Sequence, residues 1–305
     1  MRVLVAAVLA GAALPGPTTA ALQPGSRATI DVAVATLWKA PAIHRPLDRP
    51  STTNPVDPVA WSRNLATTEL RVWLDSHVQT QALYGQNVVV LARRGAWAKV
   101  AVVDEPDPQD PRGYPGWVPL VQLKSGTVAG DRYVVALART PSVDVGGRTL
   151  VVSYGTRLPL VRWTGDAALV RTPDGPGTVA GGDWSEPVQP SGASIVAQAK
   201  RFIGVHYLWG GLSAWGFDCS GLVWDVYRAH GMTIPRDADP QFRHGTPVAA
   251  NALRPGDLLF YGTQRYVHHV AIYAGDGRMV EAPDSAHSVR LVPVRWRGFA
   301  GARRY

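Results

Sequence analysis

The chain of 305 residues holds one cysteine, Cys219. A single thiol excludes an internal disulfide framework and any zinc site built from several thiolates. Charged residues are sparse at 18%, and nowhere past the first twenty positions does an uninterrupted apolar run reach the ~18 residues a membrane-spanning helix requires. Lys and Arg (31) exceed Asp and Glu (23), giving a net charge of +8. The basic residues come singly, without runs of about five like charges or basic stretches interleaved with aromatics, so nucleic acid is not an expected partner. The excess favours an anionic surface, such as wall polymer or membrane, without choosing between them. What is abundant is apolar residues, at 46%, which excludes disorder for most of the chain. The 31 glycines and 25 prolines favour many short strands and turns over a helical bundle.

The first twenty residues, MRVLVAAVLAGAALPGPTTA, join one basic residue to an apolar run from Val3 to Leu14 and end in small residues. This pattern predicts a cleaved export signal over residues 1–20, and hence a secreted, cell-wall or periplasmic protein. Shifting the sequence by 70 positions aligns Tyr84–Val100 with Tyr154–Val170 without a gap. Tyr84, Gly85 and Gly95 meet Tyr154, Gly155 and Gly165, and Val88, Val90 and Val100 meet Leu158, Leu160 and Val170. Each copy reads as turn, strand, Gly-containing turn and strand, which predicts a duplicated small β-barrel over residues 27–126 and 128–186. Inside the first copy, the Pro-rich stretch from Pro41 to Asp57 reads as a long loop of the kind that often carries function. Residues 187–193 read as a linker. Helical spacing then begins, with Ile195, Ala199 and Phe202 on one face and Gly204 as the stop.

The lone cysteine lies in WGFDCSGLVWDVYRAHG (Trp215–Gly231), at the head of an expected amphipathic helix with Leu222, Val223, Val226 and Tyr227 on one side. Backbone N–H groups and the positive end of the dipole at such a position favour a thiolate. Fifty residues on, VHHVAIYAGDGRMVEAP (Val267–Pro283) offers two histidines on opposite faces of an alternating strand, and spacing alone does not choose between His268 and His269. A two-residue turn at Asp276-Gly277 would set Glu281 opposite Ile272 and turn it from the His269 face. A three-residue loop, Gly275-Asp276-Gly277, would set it opposite Ala271. It would then be a diagonal neighbour of His269, with Cβ atoms about 7–8 Å apart. There its carboxylate would orient the imidazole.

These blocks, together with YLWGG, IPRDADPQ and LRPGDLLFY, resemble in order and spacing the NlpC/P60 family of papain-like cysteine peptidases over residues 194–305. The resemblance implies an α+β fold, a papain-like catalytic domain behind two SH3-like β-barrels, with Cys219 as nucleophile, His269 as base and Glu281 as the orienting residue. The family most often has His at that third position. The segments ATLWKAP, RPLDRP, NPVDPVAW, TQALYGQ and GYPGWVP resemble the bacterial SH3-type domains of γ-D-glutamyl-L-diamino acid endopeptidases acting on cell-wall peptides with a free N-terminal L-alanine. That likeness implies substrate contacts at Tyr114, Trp209, Asp218 and Ser220, with Tyr114 and Asp218 holding the α-amine, and Tyr207 as a second oxyanion donor beside the Cys219 amide. His268 is counted with the substrate contacts. Gln79 and Ala238 depart from the acidic residue and the serine expected there, which weakens the argument for strict free-amine selection. No metal or cofactor is expected. The expected partner is peptidoglycan or a muropeptide, and the expected state is a monomer. A non-catalytic wall-binding protein, or an amidase or acyltransferase on the same scaffold, would share these motifs.

Overall fold

The computed structural model describes residues 22–305, so the expected export signal lies outside the described residues. Strands between Arg27 and Ser125 form a seven-stranded antiparallel sheet, and strands between Tyr133 and Ser185 form a second. Numbered from its own first strand, each sheet has the order 3-2-6-5-4-1-7. The 70-residue repeat is therefore one topology used twice. It extends to local irregularities: Val90 pairs with Val100 and Leu160 with Val170, and each hairpin has its bulge immediately after that pair. Gly95 and Gly165 both turn their hairpins at φ +58, a conformation that favours glycine.

The stretch from Pro41 to Asp57 is turn and coil around one 3-10 helix, Pro46–Ser51. It opens a compact insertion of short helices (Pro46–Ser51, Pro58–Asn64, Thr68–Val72 and Trp73–Ser76) between strands Val34–Trp38 and Val78–Leu83. Tryptophans hold it down: Trp38 lies 6.4 Å from Trp61 and 6.5 Å from Trp73, ring to ring. The fully buried Asp48 accepts from the Trp61 indole at 2.9 Å and pairs with Arg45 at 2.8 Å, which satisfies a carboxylate that would be costly to bury alone.

The remaining chain builds a six-stranded sheet with three helices, Gly192–Lys200, Cys219–Ala229 and Ala238–His244. The first begins at Gly192, capped by Ser191 and Ser194 on each other's amides. The helix Cys219–Ala229 has the expected apolar and polar sides, yet all eleven of its residues are buried. Its apolar side joins a core shared by all three units, in which Val34, Leu83, Val135 and Tyr154 pack with Phe202, Phe217 and Val270. Its polar side is covered by both β-units. Arg228 Nε donates to the Gly155 carbonyl at 3.2 Å and its Nη1 pairs with Asp104 at 3.0 Å. The β-units are thus part of the packing around Cys219 rather than appendages on a tether.

Candidate active site

Asp218 caps the helix that starts at Cys219, its Oδ1 accepting from the Gly221 amide at 2.6 Å. A fully buried arginine fixes that cap. Arg236 donates to Asp218 at 3.0 and 2.9 Å, to Ser220 Oγ at 3.0 Å and to Thr80 Oγ1, in the first β-unit, at 3.0 Å. Asp218 and Ser220 are consequently tied up in an internal network. Cys219, 8% exposed, opens from this turn onto a cleft of about 290 Å³ whose walls include Gln79, Tyr114, Tyr207, Trp209, Asp237 and His268.

In the strand Val267–Gly275, alternation turns His269 inward and leaves His268 exposed. Ile272 pairs with Val280 and Tyr273 with Met279, the register that turns Glu281 toward His269. The device differs from the expected three-residue loop. Asp276 (φ +51) and Gly277 (φ +66) make a two-residue turn, and a bulge between Tyr273 and Gly275 shifts the register by one. His269 Nε2 donates to Glu281 Oε2 at 2.8 Å. Its other nitrogen is left for the thiol. Burial disfavours the imidazolium, but the hydrogen bonds and charges of Cys219 and Glu281 outweigh it and raise His269 to about 9.

Glu281 is fully buried and carries more than the histidine. Arg290 donates to its Oε1 from Nε at 3.0 Å and Nη2 at 2.9 Å, while Arg295 donates to Oε1 at 2.6 Å and Oε2 at 2.8 Å. Burial raises its carboxyl, but bonds from His269, Arg295 and Arg290 prevail and hold it below the usual range.

Tyr207 is buried near Cys219, and burial followed by the Cys219 and Asp218 charges pushes its phenol well above 10, so the hydroxyl is a donor at neutral pH. Trp209 is anchored by its indole N–H to the Val78 carbonyl at 3.1 Å. The Tyr114 hydroxyl, expected to hold an α-amine together with Asp218, donates to Asp237 Oδ2 at 2.9 Å. Asp218 is instead paired with Arg236 at 2.9 Å. Some 40% of the Asp237 side chain remains exposed, within reach of the cleft, and burial of the rest, then the Asp218 charge, raise its carboxyl to about 6 against Arg236 and Tyr114. Asp237 was overlooked in the sequence although it stands in the IPRDADPQ block, next to Ala238. Arg236 lies in the same block; Arg290 and Arg295 had no signal there.

A thiol at a helix start, an imidazole of raised basicity and a buried carboxylate in series are the parts of nucleophilic acyl transfer. The fold and this constellation define a cysteine peptidase. Residues 204–301 match the NlpC/P60 family pattern. Over 305 aligned residues the chain is 39% identical to a gamma-D-glutamyl-L-lysine dipeptidyl-peptidase of Bacillus cereus, covering 92% of this chain and 91% of that one. It is 33% identical to the Bacillus subtilis protein of the same name, covering 87% and 93%. The crystal structure of an NlpC/P60 family protein from Bacillus cereus superposes with a TM-score of 0.86 at 38% identity, over 92% of this chain and 99% of that one. The chain belongs to the NlpC/P60 family.

Proposed function

We propose that the protein is an exported peptidoglycan endopeptidase that hydrolyses the γ-D-glutamyl-L-diamino acid bond of stem peptides with a free N-terminal L-alanine. The observation that carries this reading is the cleft itself, with Cys219 at its floor and the Tyr114–Asp237 pair in the same wall. A free ammonium matches an ionised, part-exposed aspartate; an acylated amine would bring that carboxylate no opposite charge. Gln79, where an acidic residue was expected, leaves Asp237 as the principal anion for that contact. The two β-units are read as bacterial SH3-like domains, the first of which closes the cleft's far side with Tyr114 and Gln79.

In the proposed reaction the Cys219 thiolate attacks the γ-glutamyl carbonyl, and the Cys219 amide and Tyr207 hydroxyl stabilise the oxyanion. His269, as imidazolium, protonates the departing α-amine of the diamino acid. The C–N bond breaks and a thioester remains. Water, losing its proton to His269, then attacks the thioester, releasing L-Ala-γ-D-Glu and the free thiol. Glu281 holds the imidazole in line through both steps.

The test is incubation of L-Ala-γ-D-Glu-L-Lys and L-Ala-γ-D-Glu-diaminopimelate beside their N-acetylated forms, with products identified by mass. Cleavage at the γ-glutamyl bond of the free-amine peptides, lost by more than about a thousandfold in C219A, is expected. Equal turnover of acetylated and free peptides would defeat the amine reading. Unimpaired cleavage in C219A would defeat the nucleophile, and cleavage at another bond would indicate an amidase on the same scaffold.

A further inference from the structure

Beside the cleft that holds Cys219, and sharing Tyr266 and His268 with it, runs a second groove, of about 570 Å³, whose lining includes His269, Asp284, Arg290, Arg295 and Arg297. His269 lines this groove, and His268 lines both it and the cleft that holds Cys219. Resting on the reaction just proposed, the direction of proton transfer says which half of the substrate lies here. The departing amine must be within hydrogen-bond reach of His269, so the diamino acid leaves from the imidazole's side.

The charge of this groove is strongly one-sided. The buried carboxylate of Glu281 already serves Arg290, Arg295 and His269. With His269 protonated, three cationic groups face one anion. Arg297 adds a fourth cation; it is exposed, and its guanidinium has no ion-pair or hydrogen-bond partner among the described residues. The one opposing group in the lining is Asp284, 57% exposed, with Oδ1 held by the Ala286 amide at 2.9 Å and by His287 at 2.7 Å. Oδ2 remains for a ligand. A guanidinium fork matches a carboxylate, and a carboxylate matches an ammonium. We infer that this groove is the leaving-group subsite and that it selects a diamino acid with a free carboxylate, held by Arg297, with Asp284 receiving the side-chain ammonium. The substrate would then be read at both charged ends, its N-terminal ammonium by Asp237 and its departing carboxylate by Arg297.

Two carboxylates could fill the subsite: the α-carboxylate of a terminal diamino acid, or the side-chain carboxylate of diaminopimelate. The experiment measures kcat/KM for L-Ala-γ-D-Glu-L-Lys and L-Ala-γ-D-Glu-diaminopimelate, each as free acid and as α-carboxamide, with the wild-type protein and R297Q. The readout is the preference ratio of acid over amide within each pair. A wild-type ratio of about ten for both peptides, collapsing toward one in R297Q, assigns the α-carboxylate. A wild-type preference of about ten for diaminopimelate over lysine that survives amidation and disappears in R297Q assigns the side chain. Equal wild-type turnover of all four peptides, or preferences unchanged in R297Q, overturns the subsite while leaving the proposed reaction intact. Failure to cut any of the four at the γ-glutamyl bond overturns both.

Discussion

Replacing Glu281 with glutamine tests whether this carboxylate, rather than the fold around it, sets the behaviour of His269. The side chain accepts five hydrogen bonds, two on Oε2 from His269 and Arg295 and three on Oε1 from Arg290 and Arg295. In E281Q the amide oxygen can keep the histidine bond, but the amide nitrogen then faces three donors in place of an acceptor. Breaking a buried ion pair by removing one partner costs about 3–5 kcal/mol. Arg290 and Arg295 remain 37% and 42% exposed, so water recovers part of that, and a loss of about 2 kcal/mol is expected. The kinetic effect is larger. Without the anion, and with the imidazole less firmly oriented, kcat/KM is expected to fall on the order of a hundredfold, about 2.7 kcal/mol. The sign of the pH effect follows from the raised His269, which keeps its proton to about 9. Part of that elevation comes from Glu281, so the alkaline limb of kcat/KM should move down by on the order of one pH unit in E281Q. Thermal unfolding alongside a pH profile from 5 to 10 separates the two effects. An E281Q protein with wild-type kcat/KM and an unmoved alkaline limb would refute the argument, whatever its melting temperature.

Asp237→Asn should raise KM for free-amine peptides about tenfold with little change in kcat, and should remove an acidic limb near pH 6, since the wild-type carboxyl must lose its proton there to meet an ammonium; steady-state kinetics at pH 5 to 8 reads both. Glu105 is fully buried, with Oε1 unpartnered, and burial pushes it up to about 8 against Arg236 and Thr80. Its folded pKa is the raised one, so its contribution is fully present below about 4.5 and is lost as pH rises through 8. Glu105→Gln should therefore gain on the wild type across that window, by on the order of 2 kcal/mol at the alkaline end, as followed by denaturant melts. Gly155→Ala would place a Cβ 1.6 Å from Asp225 Oδ1 at φ +77, whereas Gly165, at a hairpin tip with φ +58, meets nothing within 4 Å. G155A should cost about 3 kcal/mol and G165A about 1 kcal/mol; equal losses would show that the contact with the helix Cys219–Ala229 carries no strain.

The parts legible in the sequence were those written in local periodicity. The 70-residue offset carried the duplication down to the bulge after Val90 and Leu160, because strand alternation and left-handed glycines are short-range demands of the backbone. Cys219 at a helix start followed from the helical spacing of Leu222, Val223, Val226 and Tyr227 behind it, a sequence-local signal. The short helices from Pro58 onward, after the Pro41–Asp57 loop, had no sequence signal, since they are held by Trp38, Trp61 and Trp73 meeting across the unit and not by a helical period of their own.

Sequence alone determined which atoms the chain brings to the reaction: one thiol, a pair of histidines on opposite strand faces, and a carboxylate twelve residues on. Tertiary structure decided what those atoms face. The bulge between Tyr273 and Gly275, not the turn length, sets Glu281 against His269, because register is a property of two strands together. Arg290 and Arg295 reach Glu281 from a neighbouring strand and the segment after it, and Arg236 bridges Thr80 to Asp218 across 156 and 18 residues. Charge pairing of that kind depends on distance in space and on exclusion of water, and neither is written in the spacing of residues along a chain.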